Sequence, residues 1–307
     1  MDFRIPVGDW IEAAVDWLLI NIQPFFDFVT RVVGWLVDNL ETGLLAIPPW
    51  AFVGLVAVLG LWRVGWRFAL FAVASLALVM GMDLWPETLS TLALVIASAI
   101  VALLIGLPLG VLSAKSDLAW TLVRPILDLM QTMPPFVYLI PAAMFFGLGK
   151  VPGTIATIIF AMPPAVRLTN LGIRQVTEEH VEAGRAFGCT PGQLLLKVQL
   201  PLAMPSIMAG INQTIMLALS MVVIASMIGA GGLGNTVLTG IQRLNIGLGF
   251  EGGLGVVILA IILDRITQSF GQTATRRSLV SRAMAALRAR TPAARPEAGK
   301  PAERAAE

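Results

Sequence analysis

The chain reads as an all-α, polytopic helical membrane protein with about seven transmembrane helices. Hydrophobic residues make up 57% of its 307 positions and charged residues 13%, with a mean hydropathy of +0.82, more apolar surface than one soluble core could hide. The apolar residues also fall into runs near the roughly 20 that a helix needs to cross a bilayer. Lysine and arginine gather in alternate loops, as on the retained face of a membrane protein.

The elements follow in order. Within 1–47, Trp10, Ala14, Trp17 and Leu18, then Phe28, Val32, Trp35 and Leu36, recur at helical spacing with Asp16, Asp27, Arg31 and Asp38 between them. That pattern predicts an external N-terminal segment of amphipathic helices lying on the membrane surface, the alternative being an eighth, broken span. Residues 48–86 hold two N-terminal spans, near 48–62 and 67–83. The core, 87–272, carries spans near 88–112, 122–147, 152–171, 202–228 and 252–270, with a polar loop over 178–201. Beyond it, 273–307 is rich in Ala, Arg and Pro, the composition of a basic, partly disordered tail.

Positive charge sets the orientation. Arg63 and Arg67, Lys115 and Arg124, then Arg167, Arg174, Arg185 and Lys197, and the tail from Arg276 to Arg304 fall on one side, which is therefore the cytoplasm. The other side is left with Arg4, Arg31, Lys150 and Arg243, while the first 49 residues carry seven acids, Asp2, Asp9, Glu12, Asp16, Asp27, Asp38 and Glu41, so the N-terminus is expected outside and the C-terminus inside.

Several functions lack their residues. Cys189 and His180 are the only cysteine and histidine, so no disulfide, thiolate metal site or histidine-based triad is expected. A net charge of +2 argues against a nucleic-acid partner. The nearest fragment to a phosphate-binding P-loop, Gly147-Leu-Gly-Lys150, is followed by Val151 instead of Ser or Thr. Gly229-Ala-Gly-Gly-Leu-Gly234 matches a dinucleotide fingerprint but follows an apolar helix, and so reads as a turn or re-entrant loop. No basic stretch precedes the first apolar run, so no cleavable signal peptide is expected.

The polar loop reads Glu182-Ala-Gly-Arg-Ala-Phe-Gly188, then, after nine residues, Val198-Gln-Leu-Pro201. This resembles the membrane permease subunits of ATP-binding-cassette importers, whose cytoplasmic loop runs Glu-Ala-Ala, three residues, Gly, nine residues, Ile, any residue, Leu-Pro. The chain supplies Glu182, Ala183, Gly188, Leu200 and Pro201 at that spacing, and departs at Gly184 for Ala and Val198 for Ile. Gly188 is suited to turning the chain out of a helix, Pro191 to starting a second one and Pro201 to marking entry into the next span. Leu129-Met-Gln-Thr-Met-Pro-Pro-Phe-Val-Tyr138, Lys197-Val-Gln-Leu-Pro-Leu-Ala-Met-Pro205, Ala209-Gly-Ile-Asn-Gln-Thr214, Leu217-Ala-Leu-Ser-Met-Val-Val-Ile-Ala-Ser-Met227 and Ile258-Leu-Ala-Ile-Ile-Leu-Asp-Arg265 are similar to permeases of glycine betaine/proline betaine importers.

The resemblance implies the type I importer permease fold, in the bacterial inner membrane, and an osmoprotective function. It implies ATPase coupling through Glu182, Ala183, Gly184, Gly188, Leu200 and Pro201. It further implies a homodimer, two ATPase subunits that bind ATP and Mg, and an external substrate-binding protein. This chain itself would carry no cofactor and catalyse no reaction.

For the substrate pathway, Met133-Pro134-Pro135 and Met162-Pro163-Pro164 interrupt two spans and free backbone carbonyls there. Gln131, Thr132, Pro134, Pro135, Phe136 and Tyr138 are the first candidates for lining it, the rings suiting a quaternary ammonium or simple packing equally. Asn212, Gln213, Thr214 and Ser220 give another span a polar side, which fits either helix-to-helix adhesion or the pathway. The rival function is an ion-coupled secondary carrier for betaine or choline-like substrates. Asp128 and Asp264 lie toward cytoplasmic span ends, near Arg124 and Arg265 in sequence, and no span carries a central charge, which disfavours proton coupling. A sodium site built from carbonyls stays open.

Overall fold

The computed structural model describes residues 7–271, and every regular element among them is helical. α1 (Val7–Asn21) and α2 (Gln23–Leu45) precede α3 (Pro49–Arg63) and α4 (Trp66–Gly81). Then come α5 (Trp85–Lys115), α6 (Asp117–Thr132), α7 (Pro135–Phe146), α8 (Lys150–Ala161), α9 (Pro163–Arg174), α10 (Glu178–Ala186) and the single turn α11 (Pro191–Leu194). A π-helical turn (Leu195–Gln199) leads into α12 (Leu200–Ala225), followed by a 3-10 turn (Ser226–Ile228), α13 (Gly232–Gln242) and α14 (Ile246–Gly271). The basic segment 273–307 lies outside the described residues.

Among the described residues, four stretches are long and apolar enough to cross a membrane: Trp85–Lys115, Lys150–Arg174, Pro191–Ile228 and Ile246–Phe270. Two bent pairs, α2 with α3 at 98° and α6 with α7 at 102°, raise the number to six. The sequence count was higher because it included 67–83, which folds as the 16-residue α4, short of a full crossing.

The centre is a sandwich of α5, α9 and α12, and glycine makes it possible. An added Cβ on Gly106 of α5 would meet Ala165 Cβ at 3.0 Å, and one on Gly110 would meet Thr169 Cβ at 2.6 Å and the Val166 carbonyl at 2.8 Å. On the other face of α9, Gly172 lies against Ser206, and Gly210 of α12 lies against Leu168 and the Pro164 carbonyl. In lipid, helices associate through such close backbone approach, because apolar burial alone distinguishes poorly between a neighbour and a lipid tail.

The two proline pairs behave differently, which corrects the sequence reading of them as equivalent interruptions. Met133 and Pro134 are extended (ψ 136° and 140°), as residues before proline prefer, and the chain turns through 102° between α6 and α7. Met162 stays helical (φ −68°, ψ −36°), and Lys150–Arg174 remains one 25-residue stretch. Pro163 and Pro164 are buried in the α5–α9–α12 sandwich, where packing overrides the local preference. Pro134 is exposed and has no such constraint.

α2 packs across α5 and α8, burying Val33 and Val37, while Trp35 and Phe28 face outward. Its C-terminal end is tied to α8 by the Glu41–Lys150 ion pair, and Phe26 stacks on Phe145 with ring centroids 4.6 Å apart. The glycine-rich 229–234 segment is a turn with Gly229, Gly231 and Gly232 at positive φ (85°, 82° and 67°), and it opens α13 instead of a nucleotide site.

Candidate functional site

The polar loop folds as two short helices set on the root of α12. Acidic Glu178 and Glu179 occupy the first turn of α10 and Arg185 its last, each sign matching the helix dipole. Gly188, at φ +78°, reverses the chain, a conformation that costs a side-chain-bearing residue about 1 kcal/mol or more. Thr190 and Gln193 then form a reciprocal capping box, with Pro191 in the first turn of α11. Lys115 at the end of α5 donates to the Pro191 carbonyl at 3.3 Å, so this loop touches the sandwich directly.

Glu182 and Ala183 are exposed on α10, whereas Gly184 is buried beneath Leu194, whose Cδ1 would lie 2.6 Å from an added Cβ. The departure from Ala at this position therefore has a packing counterpart: Leu194 fills the space. Leu200 is half-buried and Pro201 exposed, with Pro201 in the first turn of α12. Helix already runs from Pro191 to Ile228, and the π-turn shifts the Leu200 amide onto the Leu195 carbonyl just where proline removes the next donor. Sequence reasoning missed Phe187, which is 89% exposed beside Glu182's helix; an aromatic immediately before a loop glycine was the available signal.

A second polar group lies at the α6–α7 bend and on α9. The Arg167 guanidinium donates to Asp128 Oδ1 at 2.6 Å and to Gln131 Oε1 at 2.7 Å, with Arg124 at 3.9 Å from Asp128 Oδ2. The Arg167 and Asp128 side chains are 34% and 52% exposed, so the pair itself stabilises the fold by no more than about 1 kcal/mol. At the C-terminal end of α9, Arg174 holds Asp117 at 2.7 Å and the Ser113 carbonyl at 2.8 Å.

The other pathway candidates separate into different roles. Thr132, Pro134 and Phe136 are exposed and Pro135 half-buried around the bend. Tyr138 is buried, its ring 6.3 Å from that of Phe160, and its hydroxyl donates to the Met130 carbonyl at 2.5 Å. Met130 is the residue whose carbonyl would have bonded the amide that Pro134 lacks, so the phenol replaces the missing donor. Asn212 is not free either: it donates to Asp264 at 2.9 Å, joining α12 to α14, and Gln268 donates to the same carboxylate at 2.6 Å. Among the described residues Asp264 forms no ion pair, so Arg265 is not its partner. Thr214 is buried, and Ser220 is exposed with its hydroxyl on the Met216 carbonyl. Gln213 is exposed on α12.

Replacing Tyr138 by Phe keeps the ring and bares the Met130 carbonyl. An unsatisfied buried acceptor costs about 1–3 kcal/mol, so the detergent-solubilised protein should melt at a lower temperature. An unchanged midpoint would show that the phenol does not brace the bend.

The described residues thus form a bundle of membrane-length helices with an exposed helical loop between two of them. The family model described as "Binding-protein-dependent transport system inner membrane component" matches residues 106–276, and the chain belongs to that family. Membership makes it an inner-membrane transport subunit, not an enzyme, that works with an ATPase and a substrate-binding protein. It is 52% identical over 274 residues to the glycine betaine/carnitine transport permease protein GbuB of Listeria monocytogenes, covering 88% of this chain and 97% of the relative. To the glycine betaine/proline betaine transport system permease protein ProW of Escherichia coli it is 48% identical over 274 residues, covering 89% of this chain and 77% of the relative. Among solved structures, the MetNI methionine ABC transporter in an inward-facing form matches with a TM-score of 0.56 at 23% identity, over 61% of this chain and 93% of that one, a likeness of fold.

Proposed function

We propose that this chain is the permease subunit of an ATP-driven, binding-protein-dependent importer of quaternary ammonium osmoprotectants of the glycine betaine and proline betaine type. The observation that carries the reading is the near full-length similarity to permeases of betaine transport, at 52% and 48% identity. The helical loop supports the coupling part of it, since it exposes Glu182 and Phe187 while resting on α5 and α12.

In this mechanism two copies of the chain enclose the pathway. Two ATPase subunits bind ATP and Mg and couple through the segment of Glu182, Ala183, Gly184, Gly188, Leu200 and Pro201 on the cytoplasmic side, Gly184 acting from beneath Leu194 and not as a contact. The side is taken as cytoplasmic because lysine and arginine gather there, at Arg63, Arg67, Lys115, Arg124, Arg185 and Lys197, which would leave the N-terminus outside and the C-terminus inside. ATP binding closes the ATPases, and the loops carry the movement through α12 and the Lys115 contact into α5. The cavity then faces outward, the loaded external binding protein releases substrate into it, and hydrolysis returns it to the inward state. Gln131, Thr132, Pro134, Pro135 and Phe136 line it, with Gln213 and Ser220; Tyr138 and Asn212 hold the helices around it.

The test is uptake of labelled glycine betaine into proteoliposomes holding the permease and its ATPase, with binding protein outside and ATP inside. Uptake that needs both is the expected result. Uptake driven by a sodium or proton gradient without ATP would replace the reading with the secondary carrier.

A further inference from the structure

The Arg167–Asp128–Gln131 cluster is oddly placed for an ordinary surface ion pair. Lys150–Arg174 is a 25-residue stretch, about 37 Å long at 1.5 Å per residue, against a hydrocarbon core of about 30 Å. Asp117, 90% exposed and bound to Arg174, sets a charged pair at the C-terminal end of that stretch, where a water edge is expected. Arg167 lies two helical turns farther in, about 10 Å along the axis. Beneath the pair, Leu127 and Val166 are 1% and 0% exposed, so the charges stand on a dry apolar base, yet both remain open on their outer side. Charges at such depth face water, not lipid. An aqueous cavity entered from the cytoplasmic side would supply it, and the exposed bend residues Thr132, Pro134 and Phe136 border the same patch in sequence.

We propose that Arg167 and Asp128, with Gln131, form a transit site that admits substrate as a zwitterion, Arg167 taking its carboxylate while Asp128 faces its quaternary ammonium. The inference rests on the importer reading and assigns the permease its own part in selecting substrate. Chemically, the closed pair is a charge-balanced resting state. A zwitterion entering it exchanges one ion pair for two and leaves neither side chain without a partner. A cation would engage Asp128 and strand Arg167, whereas an anion would engage Arg167 and leave Asp128 with only its longer, 3.9 Å contact to Arg124. The guanidinium fork fits a carboxylate with two parallel hydrogen bonds, whereas a quaternary ammonium has no N–H to donate and needs only a carboxylate nearby. Gln131, which holds the second guanidinium nitrogen, keeps the fork oriented while Asp128 is displaced.

The experiment uses the complete complex in proteoliposomes with Arg167→Gln, Asp128→Asn and Arg167→Lys permeases, measuring glycine betaine uptake and ATP hydrolysis together. The expected result for Arg167→Gln and Asp128→Asn is at least a tenfold fall in molecules taken up per ATP hydrolysed. ATPase activity should still rise when loaded binding protein is added, and the KM for external substrate should not move. Arg167→Lys, which keeps the charge and loses the fork, should fall between these and the wild type. Uptake and ATPase falling in proportion would mean that the pair is only a structural latch, and unchanged uptake would mean that it does not meet substrate; either result overturns the proposal. Failure of the wild-type complex to show ATP-dependent uptake would instead sink the importer reading, and it is read before any variant is compared.

Discussion

Gly110→Val is expected to leave no folded permease in the membrane. An added Cβ would sit 2.6 Å from Thr169 Cβ and 2.8 Å from the Val166 carbonyl, and both obstacles belong to a helix clamped on its far side by α12. Neither can swing away as a long side chain would. Overpacking in cores that can relax costs about 1–3 kcal/mol, and here the relaxation requires separating α5 from α9, against a total stability on the order of 10 kcal/mol. The measure is the yield of monodisperse protein after detergent extraction, together with its melting midpoint. Gly184→Ala is the control: the obstructing atom is Leu194 Cδ1, the free end of a flexible chain, and alanine adds up to about 1 kcal/mol of helix propensity, so that variant should be purified at wild-type yield. A well-behaved Gly110→Val protein would mean that α5 and α9 do not approach this closely.

That contrast also shows what could be read from the residues and what could not. The apolar runs, the turn at Gly188 and the helix start at Pro191 are encoded within a few neighbouring positions, and local propensity reports them faithfully. The two proline pairs have nearly the same local sequence, Met-Pro-Pro, and yet one bends the chain by 102° while the other continues a helix. The difference lies in neighbours distant in sequence, the glycines of α5 and α12 that let Met162, Ala165 and the Pro164 carbonyl pack closely between those helices. The same holds for the site. Arg167 served in the sequence only as an orientation marker, because its partners Asp128 and Gln131 stand on another helix across the bend. Tyr138 suited a cation or simple packing equally, and only its position beneath the Met130 carbonyl reveals the hydrogen bond that repairs a missing proline donor. Phe187 was legible in principle, but exposure is a tertiary property, and an aromatic in an apolar chain carries no label saying that it faces water.

Glu182→Lys and Phe187→Ala are expected to abolish ATP-driven uptake while leaving the permease itself as stable as the wild type. Both side chains are exposed, and among the described residues Glu182 makes no hydrogen bond or ion pair, so the fold loses little from either change, within about 0.5 kcal/mol. Any functional loss must then arise in a partner. A fully exposed phenyl ring beside an acidic residue has the composition of a docking anchor, and truncating such an anchor costs about 2–4 kcal/mol of association, or roughly 30-fold or more in affinity. Phe187→Ala should therefore lose the ATPase during co-purification. Glu182→Lys should retain some ATPase, because the apolar anchor remains, but reversing the charge should erase the stimulation of hydrolysis by loaded binding protein. This separates it from Arg167→Gln, in which that stimulation persists and only uptake per ATP falls. Normal uptake in both loop variants would remove α10 from the coupling mechanism and leave Lys115 and the π-turn at the root of α12 as the place to look for it.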